Sequence, residues 1–189
     1  MEPFPLNTLG LSHQFIAARV QPGAFCIDAT AGKGRDTLFL CGLVGETGRV
    51  VALDIQPAAV EATRALLTAH GCADRAQVYT DCHSHIADYA APGTVDAIMF
   101  NFGWLPGGDH RVFSQPQTSV AAVEAALPLL SPGGVMSLCL YHGRENGTTE
   151  RDALLSFLQT VDNRRYTVIR SDFLNRTGDV PVPVFIIRE

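Results

Sequence analysis

Phe25-Cys26-Ile27-Asp28-Ala29-Thr30-Ala31-Gly32-Lys33-Gly34 is the stretch from which the fold can be read. A short apolar run follows Pro22-Gly23 and ends in an acid, with glycines four and six residues beyond that acid. Such a run is a buried strand, and glycines at its exit let the chain turn sharply and pass close to a ligand that a side chain would block. Asp36 to Val44 then carries apolar Leu38, Leu40, Cys41 and Val44 and reads as a helix. Strand, glycine turn, helix is the opening unit of a parallel α/β sheet.

The alternation continues outward from this unit. Arg49 to Ile55 is a second strand, introduced by the turn Gly45-Glu46-Thr47-Gly48. Pro57 to His70 is a helix with Pro in its first turn and Gly71 just past its end. Arg75 to Thr80 is a third strand, His83 to Tyr89 a short helix, and Val95 to Phe100 a fourth strand, central because it is apolar throughout. Thr118 to Leu130 is a helix, and the turn Ser131-Pro132-Gly133-Gly134 leads into a fifth strand, Val135 to Tyr141. After the helix Thr148 to Val161, Tyr166 to Phe173 and Val182 to Ile187 are two strands with no helix between them. Ser12 to Val20 is an added helix within an N-terminal extension, residues 1–21. The expected fold is α/β: a doubly wound, Rossmann-like, mostly parallel seven-stranded sheet with an antiparallel C-terminal hairpin, one domain over residues 1–189.

Composition agrees with a globular chain. The 189 residues are 47% hydrophobic and 17% charged, enough to bury a sizeable core. No apolar run reaches the ~20 residues of a membrane span. Met1 to Leu11 lacks the basic start and apolar stretch of a signal peptide, so the expected location is the cytoplasm, away from any membrane. The five cysteines (Cys26, Cys41, Cys72, Cys82, Cys139) form no C-x-x-C pair and read as reduced, mostly buried thiols. His83 and His85 have no companion cluster, and no metal is expected. A net charge of −5 gives no global signature of a nucleic-acid binder, although a local patch can steer a polyanion under a negative total. Lys33 is the only lysine among fourteen basic residues, and arginine suits bidentate phosphate contacts better.

The first three strand tips carry candidate cofactor residues. Asp54 ends the second strand 22 residues after Gly32, where a carboxylate can accept both hydroxyls of an adenosine ribose; Gln56 reaches the same edge. A dinucleotide site usually has a third glycine, and Thr37 stands there instead. The acid Asp28 before the glycines suits a ligand with a charged amino-acid end. D-x-x-x-G-x-G of this kind resembles the signature of class I methyltransferases and implies S-adenosylmethionine, held by Asp28, Thr30, Gly32, Lys33, Gly34, Asp54 and Gln56. Asp81, Cys82 and His83, at the third strand tip, are the candidates for the adenine edge.

The fourth strand ends in Asn101-Phe102-Gly103-Trp104-Leu105-Pro106-Gly107-Gly108-Asp109-His110. An Asn at a central strand tip with an aromatic three residues on resembles the N-P-P-Y pattern of amino-group methyltransferases. The Asn carbonyl can accept from an amine and aim its lone pair at an electrophilic methyl, while the ring stacks on a base drawn out of its stack. Asn101, Trp104, Asp109 and His142 are therefore the catalytic candidates, with Asn101 also beside the cofactor. Tyr141-His142-Gly143-Arg144 lies at the fifth strand tip, where His142 can take a proton and Arg144 can hold a phosphate. His13, Gly103, Trp104, Leu105, His110, Tyr141 and Arg144 complete the candidate substrate contacts.

Taken together, D-A-T-A-G-K-G-R-D-T-L-F-L, A-L-D-I-Q, N-F-G-W-L-P-G-G-D-H and the closing D-F-L-N-R resemble the bacterial tRNA 5-aminomethyl-(2-thio)uridine methyltransferases, a family formerly labelled rRNA methylases. The likeness runs from about His13 to the C-terminus. It implies a class I fold, S-adenosylmethionine as donor, and the tRNA anticodon stem-loop as acceptor, with a homodimer widening the contact surface. Lys33, Arg35, Trp104 and His110 depart from residues common in the family, Asn, His, Tyr and Lys respectively. Four other readings stand beside it: methylation of another RNA site, carbon methylation through Cys82 or Cys139 as thiolate, methylation of a small-molecule amine, and a non-catalytic cofactor-binding domain acting in an assembly.

Overall fold

In the computed structural model of the chain, residues 4–102, 115–141 and 144–189 are described, residues 144–147 by backbone alone. The order is α1 (Thr8–Ala17), β1 (Phe25–Asp28), α2 (Arg35–Val44), β2 (Arg49–Asp54), α3 (Pro57–Ala69), β3 (Ala76–Thr80), a 3-10 segment (His83–Tyr89), β4 (Val95–Phe102), α4 (Pro116–Ala126), a 3-10 turn (Leu127–Leu129), β5 (Leu130–Leu140), α5 (Arg144–Leu158), β6 (Tyr166–Arg170) and β7 (Val182–Arg188). One seven-stranded sheet runs β3-β2-β1-β4-β5-β7-β6. The first five strands pair in parallel; β7 is antiparallel to both β5 and β6. The expected doubly wound sheet with its C-terminal hairpin is what the chain forms.

Strand side chains alternate between two faces, and both faces are apolar because helices cover each. On one side Cys26, Val50, Ala52, Val78, Ala97, Met99 and Val135 pack against α1, α2 and α3, through Ile16, Leu40, Cys41, Val60 and Leu67. On the other, Ile27, Leu53, Ile98, Phe100, Met136 and Ile186 meet α4, α5 and the first 3-10 segment, through Ala122, Leu154 and Ile86. Burial of each large side chain contributes roughly 1.5–3 kcal/mol. The same alternation continues to the strand ends, so Asp28, Asp54, Asn101 and Tyr141 share the α1–α2–α3 side.

The chain departs from the expected elements at three places. The N-terminal helix begins at Thr8, four residues before Ser12, because Asn7 caps it by accepting from the Gly10 N–H at 2.8 Å. It crosses β5 and β7: Thr8 donates to the Pro181 carbonyl at 2.6 Å, Phe15 stacks on Phe185, and Ser12 lies 3.2 Å from the Cys139 sulfur. Second, Ser131-Pro132-Gly133-Gly134 does not precede β5 but forms an irregular start within it, since Leu130 already pairs with Val95 before Val135 pairs with Ala97. Third, β6 stops at Arg170, short of Phe173. Among the described residues, no helix is long and apolar enough to cross a membrane.

Candidate active site

Strand order reverses between β1 and β4, and in such sheets the crevice at the carboxyl ends on either side of that point is where ligands sit. Asp28 ends β1 there, and Asn101 is the penultimate residue of β4 beside it.

The loop after β1 is built by its glycines and by β2. Gly32 and Gly34 have φ of 55° and 79°, a left-handed backbone that side-chain residues avoid. A Cβ on Gly34 would lie 2.9 Å from Thr63 Cα on α3, so the loop is pressed against that helix. Thr63 donates to the Gly32 carbonyl at 3.2 Å. Asp54 accepts from the Gly32 N–H at 2.8 Å and from the Gln56 N–H at 2.9 Å, one through each oxygen. Each oxygen keeps a lone pair, so the carboxylate retains capacity for two ribose hydroxyls. Ile55, next to it, is an apolar side chain left 59% exposed at this edge, a flat surface suited to a purine face. Sequence reading passed over Ile55, although its place directly after the β2 acid was the available signal. The residues fit an adenosine cofactor.

Asp28 is fully buried and already partnered: the Thr37 hydroxyl donates to it at 2.6 Å and the Thr30 N–H at 3.2 Å. Thr37, at the position of the missing third glycine, thus serves the acid. Burial, and then the Asp36 carboxylate, push the Asp28 acid up to about 7, while the Thr37 and Thr30 hydrogen bonds pull it down. Lys33 and Arg35 both face solvent at this loop.

At the β3 tip, Asp81 accepts from Tyr89 at 2.7 Å, from His85 at 2.8 Å and from the Cys82 N–H at 2.7 Å, and the Tyr89 bond leads in holding its acid below the usual range. This carboxylate ties down the 3-10 segment. The Ser84 hydroxyl donates to the Cys82 sulfur at 3.1 Å. His83 turns edge-on toward Phe102 and Phe100; burial pushes it down to about 4, and its Nε2 has no hydrogen-bond partner among the described residues.

Asn101 is held twice. Its N–H donates to the Thr30 hydroxyl at 2.7 Å, which joins the β4 tip to the cofactor loop, and its Nδ2 donates to Asp36 at 2.5 Å. Asp36 also receives His13 Nε2 at 2.7 Å, and the His13 ring stacks on Phe39 at 3.9 Å between centroids. Asp36 was invisible as a site residue in the sequence because its partners lie 23 and 65 residues away. Tyr141 sits half-exposed at the β5 tip, its hydroxyl pushed up by burial. Gly103, Trp104, Leu105, Asp109, His110 and His142 lie outside the described residues, as does the Arg144 side chain. Cys139 is buried and its thiol is pushed up to about 12 by burial, which leaves no thiolate for carbon methylation.

A family model described as "Putative rRNA methylase" matches residues 50–187. The "tRNA (mnm(5)s(2)U34)-methyltransferase, chloroplastic" of Arabidopsis thaliana is 33% identical over 178 residues, 89% of this chain. The chain spans 65% of the length of that relative. A "putative rRNA-methylase" from Clostridium thermocellum superposes with a TM-score of 0.95 at 39% identity, over 98% of this chain and 99% of that one. A "putative methyltransferase" from Streptococcus mutans, solved in complex with SAH, gives 0.88 at 32% identity, again over 98% and 99%. Likeness of this extent, along nearly the whole chain, places the protein in the family described as "Putative rRNA methylase", methyltransferases of class I fold that use S-adenosylmethionine.

Proposed function

We propose that the chain methylates an amine on RNA, converting 5-aminomethyl-(2-thio)uridine to 5-methylaminomethyl-(2-thio)uridine at the tRNA wobble position. The observation that carries this reading is the junction of Asn101 with Thr30, which sets an amide side chain at the mouth of the cofactor loop. The 33% identity to the chloroplast tRNA enzyme supports the choice of acceptor.

Held by the Gly32–Gly34 loop and Asp54, S-adenosylmethionine would supply an electrophilic methyl, its sulfur being the leaving group that keeps the electron pair. The nucleophile is the neutral aminomethyl nitrogen, and the proton it gave up on becoming neutral goes to a base; His142 and Asp109 are the candidates. Asn101 orients the nitrogen, Trp104 stacks the base, and a dry crevice keeps the amine neutral. No covalent intermediate with the enzyme is required. Exposed Lys33 and Arg35 flank the loop and suit phosphates of an anticodon stem-loop despite the net charge of −5. A homodimer would widen that contact, and the cytoplasm holds the substrate.

The test incubates purified protein and labelled S-adenosylmethionine with bulk tRNA from a bacterium lacking this activity, then identifies nucleosides by mass spectrometry. The expected product is the methylaminomethyl nucleoside, lost in Asn101→Ala by at least about 10²-fold in rate. SAH binding with no transfer to tRNA would overturn the tRNA assignment and leave fold and donor in place.

A further inference from the structure

Asp36 lies on the first turn of α2 and is almost completely buried, yet nothing in the proposed chemistry has used it. A carboxylate can only accept hydrogen bonds. Both of its oxygens are engaged by side chains from other elements: Oδ1 by His13 of α1 and Oδ2 by Asn101 of β4. The consequence for Asn101 is directional. An amide side chain has a donating end and an accepting end, and the acceptor-only partner claims the donating end. The carbonyl oxygen must then point away from Asp36. Because the main chain of Asn101 is separately tied to Thr30, the side chain cannot exchange ends by sliding along the strand.

We infer that Asp36 is a positioning residue: by holding Asn101 Nδ2 it presents the Asn101 carbonyl to the acceptor, and so selects a nucleophile that brings an N–H over one that offers only lone pairs. This rests on the reading of Asn101 given under Proposed function. An amide turned the other way would donate into the lone pair that must attack the methyl, blocking the reaction it should assist. His13 occupies the second Asp36 oxygen and, stacked on Phe39, keeps the carboxylate from rotating away.

The experiment has two arms on the full chain. In the first, the side-chain amide of Asn101 is followed by NMR, assigned from its disappearance in Asn101→Asp. Its protons are expected to be shifted downfield and slow to exchange in the wild type, and to return to ordinary amide behaviour in Asp36→Ala. An Asn101 amide indifferent to that substitution overturns the inference, whatever the substrate.

The second arm measures methyl transfer to tRNA bearing 5-aminomethyl-2-thiouridine in Asp36→Asn, in Asn101→Asp and in the double swap, with SAH affinity and melting temperature alongside. Asp36→Asn is expected to lower kcat about 10²-fold while SAH affinity stays within about threefold. The swap places a donor at 36 and an acceptor at 101, and is expected to recover at least tenfold over Asp36→Asn. A swap no better than Asp36→Asn, in proteins that bind SAH and melt normally, refutes the role of amide polarity. A wild type inactive on this tRNA overturns the proposed substrate instead, and the NMR arm still decides what Asp36 holds.

Discussion

If Asp28, the acid expected to hold the charged amino-acid end of the cofactor, pairs with its ammonium group, cofactor affinity depends on a proton. In the free protein this buried acid titrates near 7, raised by burial and by Asp36, against an ordinary value of 3.8. Only its ionised form pairs with an ammonium. Below pH 7 the protein must therefore release a proton to bind, and affinity falls by up to tenfold per unit, about 50-fold between pH 7 and pH 5. The same shift acts on stability with a definite sign. A raised folded value means stability from this group is full below 3.8 and is lost as pH rises to about 7. SAH restores part of it, so ligand-induced stabilisation should be larger at pH 8 than at pH 5. Calorimetric titration with SAH in two buffers of different ionisation enthalpy reads both the affinity and the released proton. In Asp28→Asn the slope should vanish and affinity at pH 8 should drop. An SAH affinity flat from pH 5 to 7 with no proton release would refute the pairing.

Gly34→Ala should destabilise the chain by about 1–3 kcal/mol and abolish SAH binding, because it combines a positive φ with a Cβ driven against Thr63; thermal melts with and without SAH check this. His83 stays neutral in the folded chain down to about 4 but protonates near 6.5 when unfolded, so it removes stability as pH falls through that window, by about 3 kcal/mol. Comparing melting curves of His83→Phe and the wild type from pH 7 to 4 isolates this contribution from the opposite trend of Asp28; a constant difference would count against it. Cys139→Ala should retain methyl transfer within about threefold, and Cys82→Ala should retain kcat at saturating cofactor, since neither thiol is asked to attack; loss of kcat without loss of SAH binding would reopen carbon methylation.

The parallel part of the sheet was legible because its strands are covered on both sides and read as unbroken apolar runs, Val95 to Phe100 most clearly. The glycine loop and Asp54 were legible because turn, approach and acid follow each other in one unit. The place of β7 between β5 and β6 was not, since two strands without a helix between them say that they pair but not which joins the sheet. The start of α1 was misjudged by passing over Asn7, a capping residue whose signal was present. Asp36 escaped because a polar residue early in a helix looks like ordinary dipole compensation. Its role comes from elements that only the folded chain brings together.

The bond from Thr8 to the Pro181 carbonyl joins residues 173 apart, and α1 lies across β7 as well as β5. During synthesis from the N-terminus, α1 lacks part of its docking surface until β7 has emerged. His13, carried on that helix, therefore gains its full support against Asp36 only once β7 has joined the sheet. The β1–α2–β2 loop can form early, but its link to the β4 tip stays half-braced until then. A nascent chain would acquire the cofactor cradle first and its full alignment later, which delays competence until the seven-stranded sheet is in place.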